Sequence, residues 1–294
     1  MVSLTDALRY IPFSTLHDGE QHLMQRFQLS MLTEAALGAG MEKPPRAWTI
    51  SGLGVSDKVS EQFSALPSVG AELAAIVRTR ANPLGAMPGD ISLNKDFTAS
   101  RYRSVIDRQP PVIHLATHFK FAAGAESQSY LLLGDGSPLS LSEMMSERYR
   151  FTGLDLLTLS ACETALGGGI GQSGREVEGL GAQAQRYGAA AVIATLWQVA
   201  DDSTFQLMRH FYALRIQRPE LNKSEALRLS QVALLEGKER PVNDEALLQL
   251  AKRGAQGSGG PSTTSLAPRF PFDLSRAYAH PFYWAPFVLM GNWL

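Results

Sequence analysis

The chain has 294 residues and a net charge of −1, which argues against electrostatically driven binding to nucleic acid or to an anionic membrane. Its apolar share of 45% suffices for a full core, in one large domain or two small ones. A single cysteine excludes an internal disulfide and a cysteine-only zinc site, and points to a reducing compartment.

The first residues, Met1 to Arg9, lack the basic start and apolar block of a secretory signal, so the expected location is cytoplasmic. No apolar run reaches the roughly 18 to 20 residues that a membrane span requires. The segment from Leu8 to Phe13 begins almost at once, as expected for a piece of something longer.

From about residue 46 onward, strand and helix patterns alternate. Trp48-Thr-Ile-Ser51 reads as a strand ending in Gly52-Leu-Gly54. Val69 to Arg80 carries Leu73, Ile76 and Val77 at helical spacing. Ile91 to Leu93 is a short strand, and Ala99 to Asp107 a short helix. Val112 to Thr117 is an apolar strand ending on His118, and Tyr130 to Leu133 is another strand. Leu139 to Glu147 is a helix with Ser140 as its cap. Leu154-Asp-Leu-Leu-Thr-Leu-Ser160 is a buried strand that runs into Cys162. Arg175 to Tyr187 is a helix stopped by Gly188. Ala190 to Leu196 is a strand, Asp201 or Asp202 opens a helix through Arg215, and Lys223 to Leu235 is a further helix. The aromatic end, His280 to Met290, returns to the sheet. Residues 253–268, rich in glycine and serine, form a flexible loop inside one domain spanning 1–294.

The alternation predicts a mostly parallel sheet with helices on both faces. In such sheets chemistry sits at the carboxyl edge of the strands. If the strands ending at His118 and before Cys162 lie side by side, an imidazole and a thiol meet there, the minimal kit for nucleophilic acyl transfer. Taken alone, a cysteine after a strand is more often a small buried hydrophobe. Small residues around it (Ser160, Ala161 and Gly167 to Gly169) favour access, and a loop-to-helix turn supplies N–H groups that depress a thiol pKa.

Other motifs are weaker. His114 and His118 are four apart, but no further cluster completes a metal site. Gly169-Ile-Gly171-Gln-Ser-Gly174 matches a dinucleotide fingerprint in letters only, because it does not follow a strand directly and no acid lies about twenty positions on. No cofactor is expected. Asp201 and Asp202 read first as helix-start residues, and one of them lies within reach of a substrate cation at the same edge. Glu163 is either a second acid in the pocket or a solvated side chain.

Several stretches, in order, resemble the CHAT domain, a caspase-like family related to separase. These are Leu8-Arg-Tyr-Ile-Pro-Phe-Ser-Thr-Leu-His-Asp-Gly19, Ala116-Thr-His118, Leu159-Ser-Ala-Cys-Glu-Thr-Ala-Leu-Gly167, Leu196-Trp-Gln-Val-Ala-Asp-Asp-Ser-Thr204 and His280-Pro-Phe-Tyr-Trp-Ala-Pro-Phe-Val-Leu-Met-Gly291. The resemblance implies a caspase-like three-layer α/β/α sandwich and a cysteine endopeptidase acting on a protein or peptide substrate. It implies His118 as the family histidine and Cys162 as the nucleophile, with no third side chain required. The backbone N–H groups of Phe119 and Cys162 would hold the oxyanion. Many relatives have glycine where this chain has Phe119, which implies a different local loop. The stretch holding Trp197, Asp201 and Asp202 is similar to a separase segment near a pocket for basic side chains, so these residues and Glu163 are the expected substrate contacts. Relatives commonly carry a further strand and a helical-repeat or regulatory region upstream, and a missing edge strand would leave the sheet dependent on a partner. The alternative function is a caspase-like module that binds a partner and cuts nothing. An oxidoreductase using the glycine loop ranks third.

Overall fold

The structure, a computed structural model, describes residues 11–37, 47–120, 128–144, 146, 150–160, 181, 183–197, 199, 201–238 and 273–294. In chain order its elements are the short helices α1 (Leu23–Arg26) and α2 (Glu34–Leu37), strand β1 (Ile50–Gly54), helix α3 (Ser68–Ile76), strands β2 (Val77–Arg78) and β3 (Met87–Leu93), and helix α4 (Ala99–Asp107). Strands β4 (Val112–Ala116), β5 (Phe119–Lys120), β6 (Tyr130–Leu132) and β7 (Pro138–Ser140) follow, then helix α5 (Leu141–Met144). Strands β8 (Leu156–Leu159) and β9 (Ala191–Thr195), helices α6 (Asp201–Gln217), α7 (Lys223–Leu235) and α8 (Pro281–Trp284), and strand β10 (Phe287–Gly291) complete the set.

The main sheet has seven strands in the order β10-β9-β8-β4-β1-β3-β2. Every pairing in it is parallel except that of β10 with β9. Strand alternation sends Val112, Ala116, Leu156 and Ile193 to one face, where they pack with residues of α3, α6 and α7. Ile113, Leu115, Leu157 and Val192 point the other way, to a second core that includes Tyr102 and Val105 of α4 and Met144 of α5. The layers are therefore helix, sheet and helix, the mixed α/β sandwich expected of a caspase-like fold.

Two glycines decide how closely α3 lies on the sheet. A Cβ on Gly52 would sit 3.0 Å from Leu73 Cδ2, and one on Gly54 would sit 2.7 Å from Val69 Cγ1. The bare backbone of β1 thus lets α3 settle against it.

Several details differ from the sequence expectation. The helix expected to reach Arg80 stops at Ile76, because Val77 and Arg78 pair in parallel with Met87 and Pro88 as an edge strand. Residues 138–140 form β7, so the helix expected from Leu139 starts at Leu141, although Ser140 Oγ does accept from the Glu143 amide at 3.2 Å. Trp48 precedes its strand instead of opening it. Tyr130 to Leu132 joins β5 and β7 in a separate three-stranded sheet. At the other end of the main sheet, the outer side of β10 is partly covered. Met31 donates to Leu289 O at 2.8 Å and accepts from the Gly291 amide at 2.9 Å, and Gln231 Nε2 donates to Phe287 O at 3.0 Å. The chain itself shields the edge that would otherwise invite another strand.

Candidate active site

His118 stands at the corner where the chain leaves the main sheet. Ala116 O still accepts from the Val55 amide, at 3.0 Å. Two residues on, His118 O accepts from the Leu132 amide at 2.9 Å, and Thr117 Oγ1 donates to Leu132 O at 2.7 Å. The turn therefore carries β4 into the small sheet and leaves the imidazole at the carboxyl edge.

The ring is 3% exposed and fixed from two sides. Its Nε2 lies 2.7 Å from Ser64 O, and Phe63 stacks on it at 4.8 Å between centroids with 26° between planes. A carbonyl oxygen only accepts, so Nε2 carries a hydrogen. Phe63 and Ser64 belong to the connection between β1 and α3, which Leu66 closes by donating to Ser56 O at 3.0 Å. The register of β5 adds a further point. Because His118 and Leu132 share a ladder bond while Phe119 faces Leu131, the Phe119 N–H is directed away from β6.

Strand β8 ends beside this corner. It pairs in parallel with β4, Leu159 opposite Leu115, and the Ser160 amide donates to Leu115 O at 2.8 Å. Ser160 precedes Cys162 by two positions. Cys162 and Glu163 lie outside the described residues, as does the glycine motif from Gly169 to Gly174.

A family model for the CHAT domain matches residues 1–292. The chain belongs to the CHAT domain family. That family is caspase-like and related to peptidases, in keeping with the sandwich described above. A search of curated proteins finds no match.

In this CHAT domain the third strand end at the carboxyl edge is that of β9. Trp197, partly buried just beyond it, donates its indole N–H to Phe282 O at 3.1 Å. Asp201 and Asp202 open α6 as the sequence predicts. The Asp202 carboxylate accepts a hydrogen bond from the Tyr278 hydroxyl. Burial first, and this bond second, push the Tyr278 phenol well above its ordinary range, so it remains a donor. Of the Asp201 side chain nothing is described.

The residues that sequence reasoning missed lie beneath the edge. Glu72 of α3 is 1% exposed, yet its Oε1 accepts from Ser160 Oγ at 2.5 Å and lies 2.9 Å from His114 Nε2. The other nitrogen of His114 is 3.2 Å from the Tyr212 hydroxyl, which is itself 2.8 Å from Thr158 Oγ1. Both nitrogens of His114 are thus engaged by protein groups. Among the described residues no cluster of three His, Cys, Asp or Glu side chains is arranged to hold a metal ion. Burial drives the Tyr212 phenol far upward, which keeps it neutral. The signal for Glu72 was present. Val69, Glu72, Leu73 and Ile76 form one stripe of α3, and a carboxylate inside an apolar stripe needs a partner. No helix among the described residues is long and apolar enough to cross a membrane.

Proposed function

We propose that this CHAT domain is a cysteine endopeptidase in which Cys162 is the nucleophile and His118 the general base and acid. The observation that carries this reading is the placement of His118. It sits at the carboxyl edge beside the end of β8, with Nε2 held by the Ser64 carbonyl, so Nδ1 would be the nitrogen that exchanges the proton. Family membership supports the same chemistry.

The Cys162 thiol gives its proton to His118 Nδ1, and the sulfur attacks the scissile carbonyl, forming the C–S bond. As the tetrahedral adduct collapses, the C–N bond breaks and His118 returns the proton to the leaving amine. Water, deprotonated by the same nitrogen, then hydrolyses the thioester and regenerates the thiol. The backbone N–H groups of Phe119 and Cys162 would hold the oxyanion, each contributing about 3 kcal/mol. Asp201 or Asp202 would select an arginine or lysine before the cut, with Trp197 and Glu163 flanking it.

Substitution of Cys162 by alanine tests the assignment. The variant is expected to keep its circular dichroism spectrum and melting temperature and to lose cleavage of a peptide library by about a thousandfold or more. Cleavage surviving in Cys162→Ala overturns the nucleophile. A wild-type protein that cuts nothing, and whose thiol reacts sluggishly with iodoacetamide at neutral pH, favours the binding module instead.

A further inference from the structure

We propose that Glu72 is a positioning residue that ties together the two strand ends presenting His118 and Cys162. This inference rests on the peptidase reading and deepens it.

The buried polar chain Ser160–Glu72–His114–Tyr212–Thr158 draws only on elements that lead to the site. His114 lies on β4, four residues before His118. Thr158 lies on β8, and Ser160 follows it two residues before Cys162. Glu72 lies on α3, eight residues after Ser64, whose carbonyl orients the catalytic imidazole. Glu72 therefore touches the base strand through His114 and the nucleophile strand through Ser160. The helix that carries it follows the segment that holds the imidazole.

Stability does not account for this arrangement. All five side chains are 6% exposed or less. A buried carboxylate and imidazole are costly to desolvate, and an apolar residue in the stripe of α3 would pack at least as well. What a fully bonded polar network supplies is a unique geometry. As a carboxylate, Glu72 accepts from the Ser160 hydroxyl and from His114 Nε2–H. His114 Nδ1 then accepts from Tyr212, and Tyr212 accepts from Thr158, so every donor meets an acceptor. A shift of an ångström between a nucleophile and its base costs about a hundredfold in rate, so a clamp on both strands acts directly on turnover.

The test compares wild type with Glu72→Gln and Ser160→Ala in two assays: steady-state cleavage of a peptide substrate, and the rate of iodoacetamide alkylation of the single cysteine. Glu72→Gln keeps the shape but loses the charge, and Ser160→Ala removes one link without stranding a buried ion should the first variant not fold. Leu73→Val, on the same helix, controls for destabilisation alone. Both network variants are expected to lower kcat about tenfold or more at similar KM and to slow alkylation by a similar factor. Leu73→Val is expected to lower only the melting temperature. Active wild type with both network variants matching it in kcat and alkylation overturns the positioning role and leaves the peptidase reading standing. Wild type that neither cleaves nor alkylates rapidly overturns both.

Discussion

Among the described residues two carboxylates are buried, at opposite ends of one strand. Asp155 precedes β8 and Ser160, bonded to Glu72, follows it. The Asp155 end is a closed ion pair. Lys223 Nζ donates to Oδ1 at 2.7 Å, Trp48 Nε1 donates to Oδ2 at 2.7 Å, and Arg215 stacks over the Trp48 ring at 4.3 Å. Its partners come from the segment before β1 and the first residue of α7, with Arg215 of α6 over the indole, at the amino edge of the sheet. At the Glu72 end, among the described residues, the His114 imidazole and the Ser160 hydroxyl meet the carboxylate just below the carboxyl edge. The difference separates two uses of buried charge. At the amino edge, opposite charges neutralise each other and lock three elements together. At the carboxyl edge, on the function proposed above, a directional network would set the spacing of the two strands that would deliver the reacting groups.

The comparison breaks most sharply at Lys223. Its ammonium is completely buried, and burial holds its pKa below the ordinary lysine value despite the Asp155 carboxylate. Lys223→Met would leave Asp155 charged with only the indole donor, and should cost about 3–5 kcal/mol in urea unfolding. Cleavage per folded molecule should not change. Adding Asp155→Leu should recover most of the loss, since the stranded charge then disappears. If Lys223→Met lowers kcat as far as Glu72→Gln does, the division between the two ends is wrong.

A smaller effect is expected at Tyr278, which is fully buried against Asp202. Tyr278→Phe removes a hydrogen bond to a carboxylate, about 2 kcal/mol of stability. If Asp202 selects the basic side chain, its loosened carboxylate should also lower the preference for cleavage after arginine over cleavage after leucine. An unchanged preference, measured on paired peptides, assigns the selection to Asp201 or to neither.

The sheet was legible in the sequence because its strands are short apolar runs bounded by turns, and Gly188, at φ +110°, follows the helical residues 183–186 as a stop should. The edge strand at Val77 was not legible, since its apolar residues also fit the helical spacing and only pairing with Met87 decides between them. At the site, His118 was legible as a polar residue ending an apolar strand. Its partners were not. Ser64 acts through its backbone carbonyl, which leaves no mark in side-chain chemistry. Phe63 contributes a ring face that any aromatic residue in a loop would offer. Glu72 was legible as an oddity of the α3 stripe, but the identity of its partners depends on the sheet order that sets β4 beside β8.

The smallest expected effect lies at the start of α8, and it tests whether a titrating group outside both carboxylate clusters matters at all. His280 caps that helix, its Nδ1 accepting from the Phe282 amide at 3.1 Å. Burial holds its pKa below the ordinary 6.5. The unfolded chain therefore takes up this proton first as the pH falls, so stability from His280 is complete above about pH 6.5 and is lost as the pH drops through the lowered folded value. Protonation also removes the lone pair that caps the helix. His280→Asn keeps an oxygen able to accept from the same amide but does not titrate. Between pH 7 and pH 5 the melting temperature of wild type should fall slightly more than that of His280→Asn, and the two should converge at pH 7. Parallel curves would show that the cap at His280 contributes nothing to the acid sensitivity of the domain.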